Sequence, residues 1–278
     1  MSETFSYYPG CTSHSTAIEY IEASHEVLTA LDIELRELPD WCCCGAASAH
    51  NLSGTLALGL SAFNICEAQK EKSDLLIPCA GCYNNLARAD YALRHHPEEK
   101  EQLEKLLGFT FTGEVKMLSL VDVLAREQLR PAIREQVKKP LAGLKVVCYY
   151  GCAIVRPAVI TGVDDVENPR RLDVMMADLG AEVLDWSCKV DCCGGDLGLT
   201  HAEKTAELVN KIVDYATAAG ADCLVTSCAL CQANVDIRQQ RLPILYFTEL
   251  MAEAFQVGNR QRWWKKHFNN PANLFQGS

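Results

Sequence analysis

Trp41-Cys42-Cys43-Cys44-Gly45 opens a cysteine pattern that the chain contains twice, and the first copy closes with the sequence CAGC at residues 79–82. The second copy reads CCGG at residues 192–195 and CALC at residues 228–231. The step from the double cysteine to the C-x-x-C motif is 35 positions in both copies. One further cysteine precedes each copy, so that ten cysteines form two groups of five in the same order. The first group is Cys11, Cys43, Cys44, Cys79 and Cys82, and the second is Cys152, Cys192, Cys193, Cys228 and Cys231.

The repetition extends beyond the cysteines. Residues 182–186 repeat residues 37–41, and residues 222–226 repeat residues 74–78. An internal duplication explains both matches and predicts two similar domains that face each other. We place the domains at residues 1–140 and 141–278, because Lys138-Lys139-Pro140-Leu141-Ala142-Gly143 has the proline and glycine of a linker.

The elements between the cysteines predict an α/β fold. Thr4–Tyr8 and Asp74–Pro78 are short apolar segments typical of strands, whereas the apolar spacing in residues 52–70 and in residues 119–129 predicts helices. Strands that alternate with helices favour mostly parallel sheets. Ligands of such sheets bind beyond the carboxyl ends of the strands, which is where the cysteine-rich loops fall, so each group of five is expected to converge.

Composition restricts the class of protein. The chain has 278 residues, 15 cysteines, a net charge of −10 and a pI near 5.2, which argues against nucleic acid as a partner. It lacks an apolar run long enough for a membrane span, and residues 1–5 lack the pattern of a secretory signal. Clustered cysteines in such a chain predict metal binding in a reducing compartment, and hence a cytoplasmic protein.

Five thiolates per domain are one more than either common site uses. A cubane [4Fe–4S] cluster takes four thiolates, and so does a structural zinc ion. A larger or opened iron–sulfur cluster, with one thiolate bridging two irons, would use all five. A zinc-bound scaffold, or an electron-relay adaptor without a substrate of its own, remains the alternative.

The double pattern C-x(n)-CCG-x(n)-C-x-x-C resembles the B-type subunit of heterodisulfide reductase, a protein with tandem cysteine-rich CCG domains, over residues 4–255. The resemblance implies one noncubane [4Fe–4S] cluster per domain, held by the two groups of five cysteines. It also implies that the clusters lie at the domain interface with a small disulfide or thiol substrate between them. The partners that it implies are the ferredoxin-type and the flavin-bearing subunits of such a complex, which are its C-type and A-type subunits.

The function that follows from the resemblance is catalysis of disulfide reduction or formation by paired one-electron steps. Breaking a disulfide takes two electrons, whereas an iron–sulfur cluster normally transfers one, and two clusters resolve this mismatch. A protein that acts on another sulfur compound, or that takes part in electron bifurcation, is the alternative within redox chemistry.

The remaining candidate residues have less specific signals. Cys66, Cys148 and Cys223 fit small buried positions, and Cys42 and Cys188 are interpreted as spectators beside the double cysteines. Four residues near the motifs are candidates for binding an anionic substrate or protonating a departing thiolate: His14, Arg156, Lys189 and His201.

The C-terminal tail is basic and aromatic, with Trp263 and Trp264 among the arginines and lysines of residues 260–266. One interpretation is a terminal helix whose tryptophans pack on the body of the protein. The other is a docking arm for a partner protein, because aromatic and arginine residues are enriched at interfaces.

Overall fold

The computed structural model describes residues 3–163 and 165–276; Met1, Ser2, Asp164, Gly277 and Ser278, which the predicted domain ranges include, lie outside the described residues. The described chain contains two four-stranded sheets in which every pairing is parallel. Helices connect the strands in both sheets. The α/β class with two similar parallel sheets is therefore confirmed.

The first sheet has the strand order β2-β1-β3-β4. The elements of this half are β1 (Glu3–Tyr7), α1 (Ile18–Ala30), β2 (Ile33–Glu37), α2 (Ser48–Leu52), α3 (Gly54–Glu71), β3 (Leu75–Ile77), α4 (Ala80–His95), α5 (Pro97–Leu107), β4 (Met117–Ser119), α6 (Leu120–Leu124), a short 3₁₀ helix (Glu127–Leu129) and α7 (Arg130–Gln136).

Two of the predicted helices are divided in the structure. The helix predicted over residues 52–70 begins only after Ser53, whose Oγ accepts a hydrogen bond from the Leu56 N–H at 3.4 Å and caps α3. The helix predicted over residues 119–129 ends at Leu124. Its predicted N-cap is confirmed, since Ser119 Oγ accepts from the Asp122 N–H at 3.0 Å.

The second sheet has the equivalent order β6-β5-β7-β8. Its half contains β5 (Lys145–Tyr149), α8 (Ala158–Thr161), α9 (Arg171–Asp178), β6 (Glu182–Val183), a 3₁₀ helix (Gly195–Leu197), α10 (Ala202–Ala218), β7 (Cys223–Thr226), α11 (Ala229–Ile237), β8 (Ile244–Tyr246), α12 (Phe247–Phe255), α13 (Arg260–Trp264) and a last 3₁₀ helix (Pro271–Phe275).

The strand register brings the loops that carry the cysteines to one edge of each sheet. Tyr7 at the end of β1 pairs with Glu37 at the end of β2 and with Leu76 in β3. In the second sheet, Tyr149 pairs with Thr226 at the end of β7. Because parallel strands end at the same edge, the loops that follow these residues are neighbours.

The two halves exchange helix contacts and share one apolar core. Helix α1 of the first half packs against α12 of the second, and α9 of the second packs against α6 and α7 of the first. Across this junction the rings of Tyr20 and Tyr246 stack with centroids 4.2 Å apart. The two halves are therefore held together by reciprocal helix packing, with the linker residues 138–143 between α7 and β5.

The tail packs on the body, as the first of the two interpretations predicts. Trp263 and Trp264 are both buried. The Trp263 Nε1–H donates to the Glu22 carboxylate at 2.6 Å, and the Trp264 ring stacks on Phe275 at 4.7 Å. The Trp263 contact joins the C-terminal segment to α1 of the first half, and the Trp264 contact holds the segment together.

A buried histidine in the tail makes stability depend on pH. Burial would lower the pKa of His267, but the Glu249 carboxylate at 2.9 Å from Nε2, with Asp236 and Glu19 nearby, raises it from 6.5 to about 9. A raised pKa contributes stability that is complete below pH 6.5 and is lost as the pH rises through about 9. The contribution is on the order of 3 kcal/mol.

We therefore expect His267→Gln to lower the free energy of unfolding more at about pH 6 than at about pH 10. The measurement is urea unfolding of the variant and the wild type at both pH values. Taking the difference between the two proteins cancels the titration of the cysteines. A difference that stayed constant across this range would show that His267 is not the titrating group.

Candidate metal centre

Both C-x-x-C motifs lie where a buried strand passes into a helix. Cys79 is the N-cap residue of α4 and Cys228 is the N-cap residue of α11, so that Cys82 and Cys231 fall in the first helical turn. The free N–H groups at a helix N-terminus favour negative charge. Of these cysteines, Cys79 has a lowered pKa, first because of a hydrogen bond from Cys228, whereas hydrogen bonds to Cys44 and Cys193 raise the pKa of Cys82 and Cys231.

In the first group, the double cysteine lies against the C-x-x-C motif. Cys44 Sγ is 3.5 Å from Cys82 Sγ, and both residues are buried. The N–H of Gly45 donates to Cys43 Sγ at 3.4 Å. Cys11 is exposed at the edge of the group.

The second group repeats this geometry. Cys193 Sγ is 3.5 Å from Cys231 Sγ, and the N–H of Gly194 donates to Cys192 Sγ at 3.3 Å. The exposed member of this group is Cys192. The duplication seen in the sequence is thus also a duplication of thiol positions.

In each half a glycine lets the loop that carries the first cysteine of the group approach the sulfur of the second cysteine in the C-x-x-C motif. A Cβ on Gly10 would lie 3.3 Å from Cys82 Sγ, and one on Gly151 would lie 3.2 Å from Cys231 Sγ. Both glycines also have positive φ values, +74° and +66°, which side chains rarely adopt. The loops that carry Cys11 and Cys152 therefore close over the sulfur atoms only with glycine at these positions.

Hydrogen bonds between thiols favour the thiolate form of one member in each contact. Hydrogen bonds from Cys43 and Cys82 lower the pKa of Cys44 to about 3. A hydrogen bond from Cys152 lowers the pKa of Cys192 to about 6. A hydrogen bond from Cys231 likewise lowers the pKa of Cys193. Each group thus holds thiolate sulfur near neutral pH, which is the form that binds metals.

The two groups meet at the junction between the halves. The thiol of Cys228 hydrogen-bonds to Cys79 and lowers the pKa of Cys79. The Ala80 N–H donates to the Ser227 carbonyl at 3.3 Å. The buried Tyr20 hydroxyl lies 2.8 Å from the Pro78 carbonyl oxygen and 3.1 Å from that of Ser227. One tyrosine therefore contacts the residue before each C-x-x-C motif.

Four side chains that are not among the predicted site residues support the two cysteine groups. The Tyr8 hydroxyl donates to the Cys42 carbonyl at 2.8 Å, and the Tyr149 hydroxyl donates to the equivalent Asp191 carbonyl at 2.7 Å. Asn85 Nδ2 donates to Cys44 Sγ at 3.5 Å, and Asn234 Nδ2 donates to the Cys193 carbonyl at 2.8 Å. The sequence does contain a signal for the two asparagines, because both halves read C-x-x-C-x-x-N.

The other cysteines lie apart from these contacts. Cys148 and Cys223 are fully buried within β5 and β7, and Cys66 is half-buried within α3. Cys42 Sγ contacts the Leu60 carbonyl at 3.5 Å, and Cys188 is buried. Among the described residues, no hydrogen bond joins the Sγ atom of any of these five to a cysteine of either group.

The four candidate substrate contacts differ in their surroundings. His14 is exposed and stacks over Trp41 at 6.3 Å. Arg156 is half-buried and binds Glu167 at 2.5 Å and the Val190 carbonyl at 3.3 Å. His201 is exposed and its ring lies 3.0 Å from the hydroxyl of the adjacent Thr200.

Lys189 is buried and its ammonium group is bound inside the protein. Its Nζ donates to Asp173 at 2.6 Å and to Asn168 at 3.1 Å. Its carbonyl accepts hydrogen bonds from the N–H groups of Tyr150 and Gly151. These contacts position the loop before Cys152.

The donor set fits an iron–sulfur group. Each half contains five free cysteines, and one pair of sulfur atoms in each half is in contact at 3.5 Å, Cys44 with Cys82 and Cys193 with Cys231. The thiols lie in close contacts, and within the described ranges no three or more His, Cys, Asp and Glu side chains are arranged as the ligands of a single metal ion. Thiolates are the protein ligands of iron–sulfur clusters.

Comparison with known proteins identifies the repeat. The family model of the cysteine-rich CCG domain matches residues 5–87 and again residues 146–236. The 8-methylmenaquinol:fumarate reductase membrane anchor subunit of Wolinella succinogenes is 30% identical over 270 residues, which are 92% of this chain and 94% of that protein. Among the helices of the described residues, none combines the length and apolar character of a membrane crossing.

Two archaeal relatives are named for a different function. The B-type subunit of the ferredoxin:CoB-CoM heterodisulfide reductase of Methanosarcina mazei is 28% identical over 265 residues, 90% of this chain and 88% of that protein. A protein of Archaeoglobus profundus, named as similar to the B-type subunit of heterodisulfide reductase, is 26% identical over 268 residues, 89% of both chains.

A solved structure agrees with the fold. A hypothetical protein from Helicobacter pylori superposes with a TM-score of 0.72 at 13% identity, covering 97% of this chain and 52% of that one. This chain thus spans about half of that protein, and the likeness concerns the fold alone. With two domain matches and relatives along almost its whole length, the chain belongs to the family of tandem cysteine-rich CCG-domain proteins, which includes the B-type subunit of heterodisulfide reductase.

Proposed function

We propose that the chain is the disulfide-acting component of a heterodisulfide reductase-type complex. The observation that carries the proposal is that the two C-x-x-C motifs meet at the junction of the halves, where the Ala80 N–H donates to the Ser227 carbonyl at 3.3 Å and the Tyr20 hydroxyl lies 2.8 Å from the Pro78 carbonyl oxygen and 3.1 Å from that of Ser227. A small disulfide bound beside this junction is within reach of both groups. Two relatives named for the B-type subunit of such reductases support the same activity.

We assign one noncubane [4Fe–4S] cluster to each group of five cysteines. The first would be held by Cys11, Cys43, Cys44, Cys79 and Cys82, and the second by Cys152, Cys192, Cys193, Cys228 and Cys231. When bound, each cluster would supply one of the two electrons that a disulfide requires. The overall reaction takes up two electrons and two protons per disulfide and releases two thiols.

The residues of the chain would supply access, exclusion of water and proton transfer. Cys11 and Cys192 are exposed and mark the open side of the two groups, whereas Tyr20 is buried at the junction between them. His14 is exposed three residues after Cys11, and we propose it as a proton donor to a departing thiolate. Arg156, four residues after Cys152, would contact an anionic substituent of the substrate. We do not assign Lys189 such a role, because its ammonium group is bound to Asp173.

The electrons would come from partner proteins. We propose a ferredoxin-type partner and a flavin-bearing partner, and we place the complex in the cytoplasm, where thiols stay reduced. The name of the Methanosarcina mazei relative includes ferredoxin, which supports an iron–sulfur partner.

A second candidate function follows from the Wolinella succinogenes relative. Its 30% identity over 92% of this chain is higher than that of the archaeal reductase relatives. The same cysteine groups would then transfer electrons within a fumarate reductase complex, and the chain would have no disulfide substrate.

The experiment uses the anaerobically purified chain with a reduced viologen dye as donor. Disulfide reductase activity predicts dye oxidation that depends on an added disulfide, with two thiols formed per disulfide. Dye oxidation that depends on fumarate and on added fumarate reductase catalytic subunits, with no response to disulfides, would favour the second function.

A further inference from the structure

The turn that follows Cys152 is held by a side chain from the other half. In this turn the N–H groups of Val155 and Arg156 donate to the Cys152 carbonyl at 3.3 and 3.0 Å. The carbonyls of Ala153 and Arg156 accept hydrogen bonds from Asn84 Nδ2 at 2.7 and 2.8 Å. The two N–H donors of the Asn84 amide therefore connect α4 to the loop that carries Cys152.

The orientation of this amide is fixed. Asn84 is buried, and its Oδ1 accepts a hydrogen bond from Arg88 Nε at 2.8 Å. Because the oxygen faces a guanidinium donor and the nitrogen faces two carbonyl acceptors, only one amide orientation satisfies all three partners. A buried amide with every contact satisfied holds the turn at a defined distance from α4.

Helix α4 itself begins in the first cysteine group. Asn84 lies two residues after Cys82, and the neighbouring Asn85 faces the first group through Cys44. Two adjacent asparagines thus serve different halves: Asn85 contacts a cysteine of its own half, and Asn84 contacts the turn that follows Cys152 in the other half.

The second half does not return this contact. The position equivalent to Asn84 is Ala233, which has no donor in its side chain. Within the described residues, the hydrogen bonds found for the Cys11 turn are local, such as Ser13 Oγ to the Gly10 carbonyl at 2.7 Å. Cys11 is exposed, whereas Cys152 is half-buried. Among the described residues, the hydrogen-bond support of the turn after a group's first cysteine by the other half therefore runs in one direction, from Asn84 to the Cys152 turn.

We propose that Asn84, a residue of the first half, is a positioning residue for the metal centre of the second half. It holds the turn that presents Cys152, while Lys189 holds the preceding residues from the other side. The inference rests on the proposed function, since it assumes that Cys152 ligates a cluster. It implies that the turn of Cys152 depends on a side chain of α4, whereas Ala233 of α11 offers the turn of Cys11 no equivalent donor.

The test observes each centre alone. Cys44→Ala leaves the second group of cysteines intact, and Cys193→Ala leaves the first. Asn84→Asp, which keeps the shape but removes both donors, is added to each background. The readouts are iron loss to a chelator and the reduction potential and spectrum of the remaining cluster, measured on the anaerobically purified full chain.

The proposal predicts about 10-fold faster iron loss and an altered spectrum when Asn84→Asp is combined with Cys44→Ala. It predicts no change when Asn84→Asp is combined with Cys193→Ala. The matched control is Asn85→Asp, which should give the reverse pattern because Asn85 contacts Cys44. If Asn84→Asp prevents folding, Asn84→Ala removes the same donors without adding a charge.

Equal effects on both centres, an effect on the first centre only, or no effect on either would overturn the inference. Any of these results would leave the proposed function intact, because the wild-type chain would still hold iron. A wild-type chain without iron would remove the proposed function and this inference together.

Discussion

Replacing either Cys82 or Cys231 with alanine is expected to abolish disulfide turnover, although each substitution alters only one cysteine group. The Sγ atom of Cys82 lies 3.5 Å from that of Cys44, and the Sγ atom of Cys231 lies 3.5 Å from that of Cys193. Each substitution therefore removes a central thiol of its group. A chain with one intact centre can supply only one of the two electrons that the disulfide needs. We expect disulfide turnover to fall by more than about 100-fold, which is the upper range for replacing a residue that only hydrogen-bonds to a metal ligand.

The assay is dye-linked disulfide reduction by the purified chain. Cys223→Ala is the matched control, because Cys223 is buried within β7 and lies apart from both groups. Its turnover should stay close to that of the wild type. If Cys82→Ala or Cys231→Ala kept about half of the wild-type turnover, the two centres would act independently and the paired mechanism would be wrong.

The second large effect concerns metal content. Cys44→Ala and Cys193→Ala are each expected to lower the iron content to roughly half, because each removes a thiolate from one four-iron cluster. The structure supports the two positions equally, since both cysteines are buried and both have a lowered pKa. Iron and acid-labile sulfide per chain, with the spectrum of the remaining cluster, are the measurements.

Cys66→Ala is the control for this experiment. Cys66 is half-buried within α3 and no hydrogen bond joins it to either group among the described residues. Its substitution should leave the iron content unchanged. Iron loss as severe as that of Cys44→Ala would show that the division between ligands and spectators is incorrect.

The sequence is sufficient to predict the fold class and the edge of each sheet at which the cysteines gather. The equal 35-position steps from Cys44 to Cys79 and from Cys193 to Cys228 indicate the duplication. Strand–helix alternation then predicts parallel sheets, and the register of β1, β2 and β3 confirms that the cysteine loops leave the same edge. These signals are local or periodic, which is why they can be recognised without coordinates.

The contacts between the halves could not be predicted from the sequence. The packing of α1 on α12 joins chain segments more than 200 residues apart. The apolar residues of a helix do not indicate which distant helix they will contact. The sequence around Asn84 predicts an ordinary helical residue, and its contact with the Cys152 turn is known only from the structure. Lys189 is predicted as a substrate contact from its position near the double cysteine, but its partner Asp173 is visible only in the fold.

The presence of two iron–sulfur clusters is tested by measuring the metal and sulfide content of the anaerobically purified full chain. We expect roughly eight iron and eight acid-labile sulfide per chain, since two four-iron clusters are assigned to ten cysteines. Zinc at about one or two ions per chain, with negligible iron and no sulfide, would contradict the cluster assignment and the disulfide chemistry that depends on it.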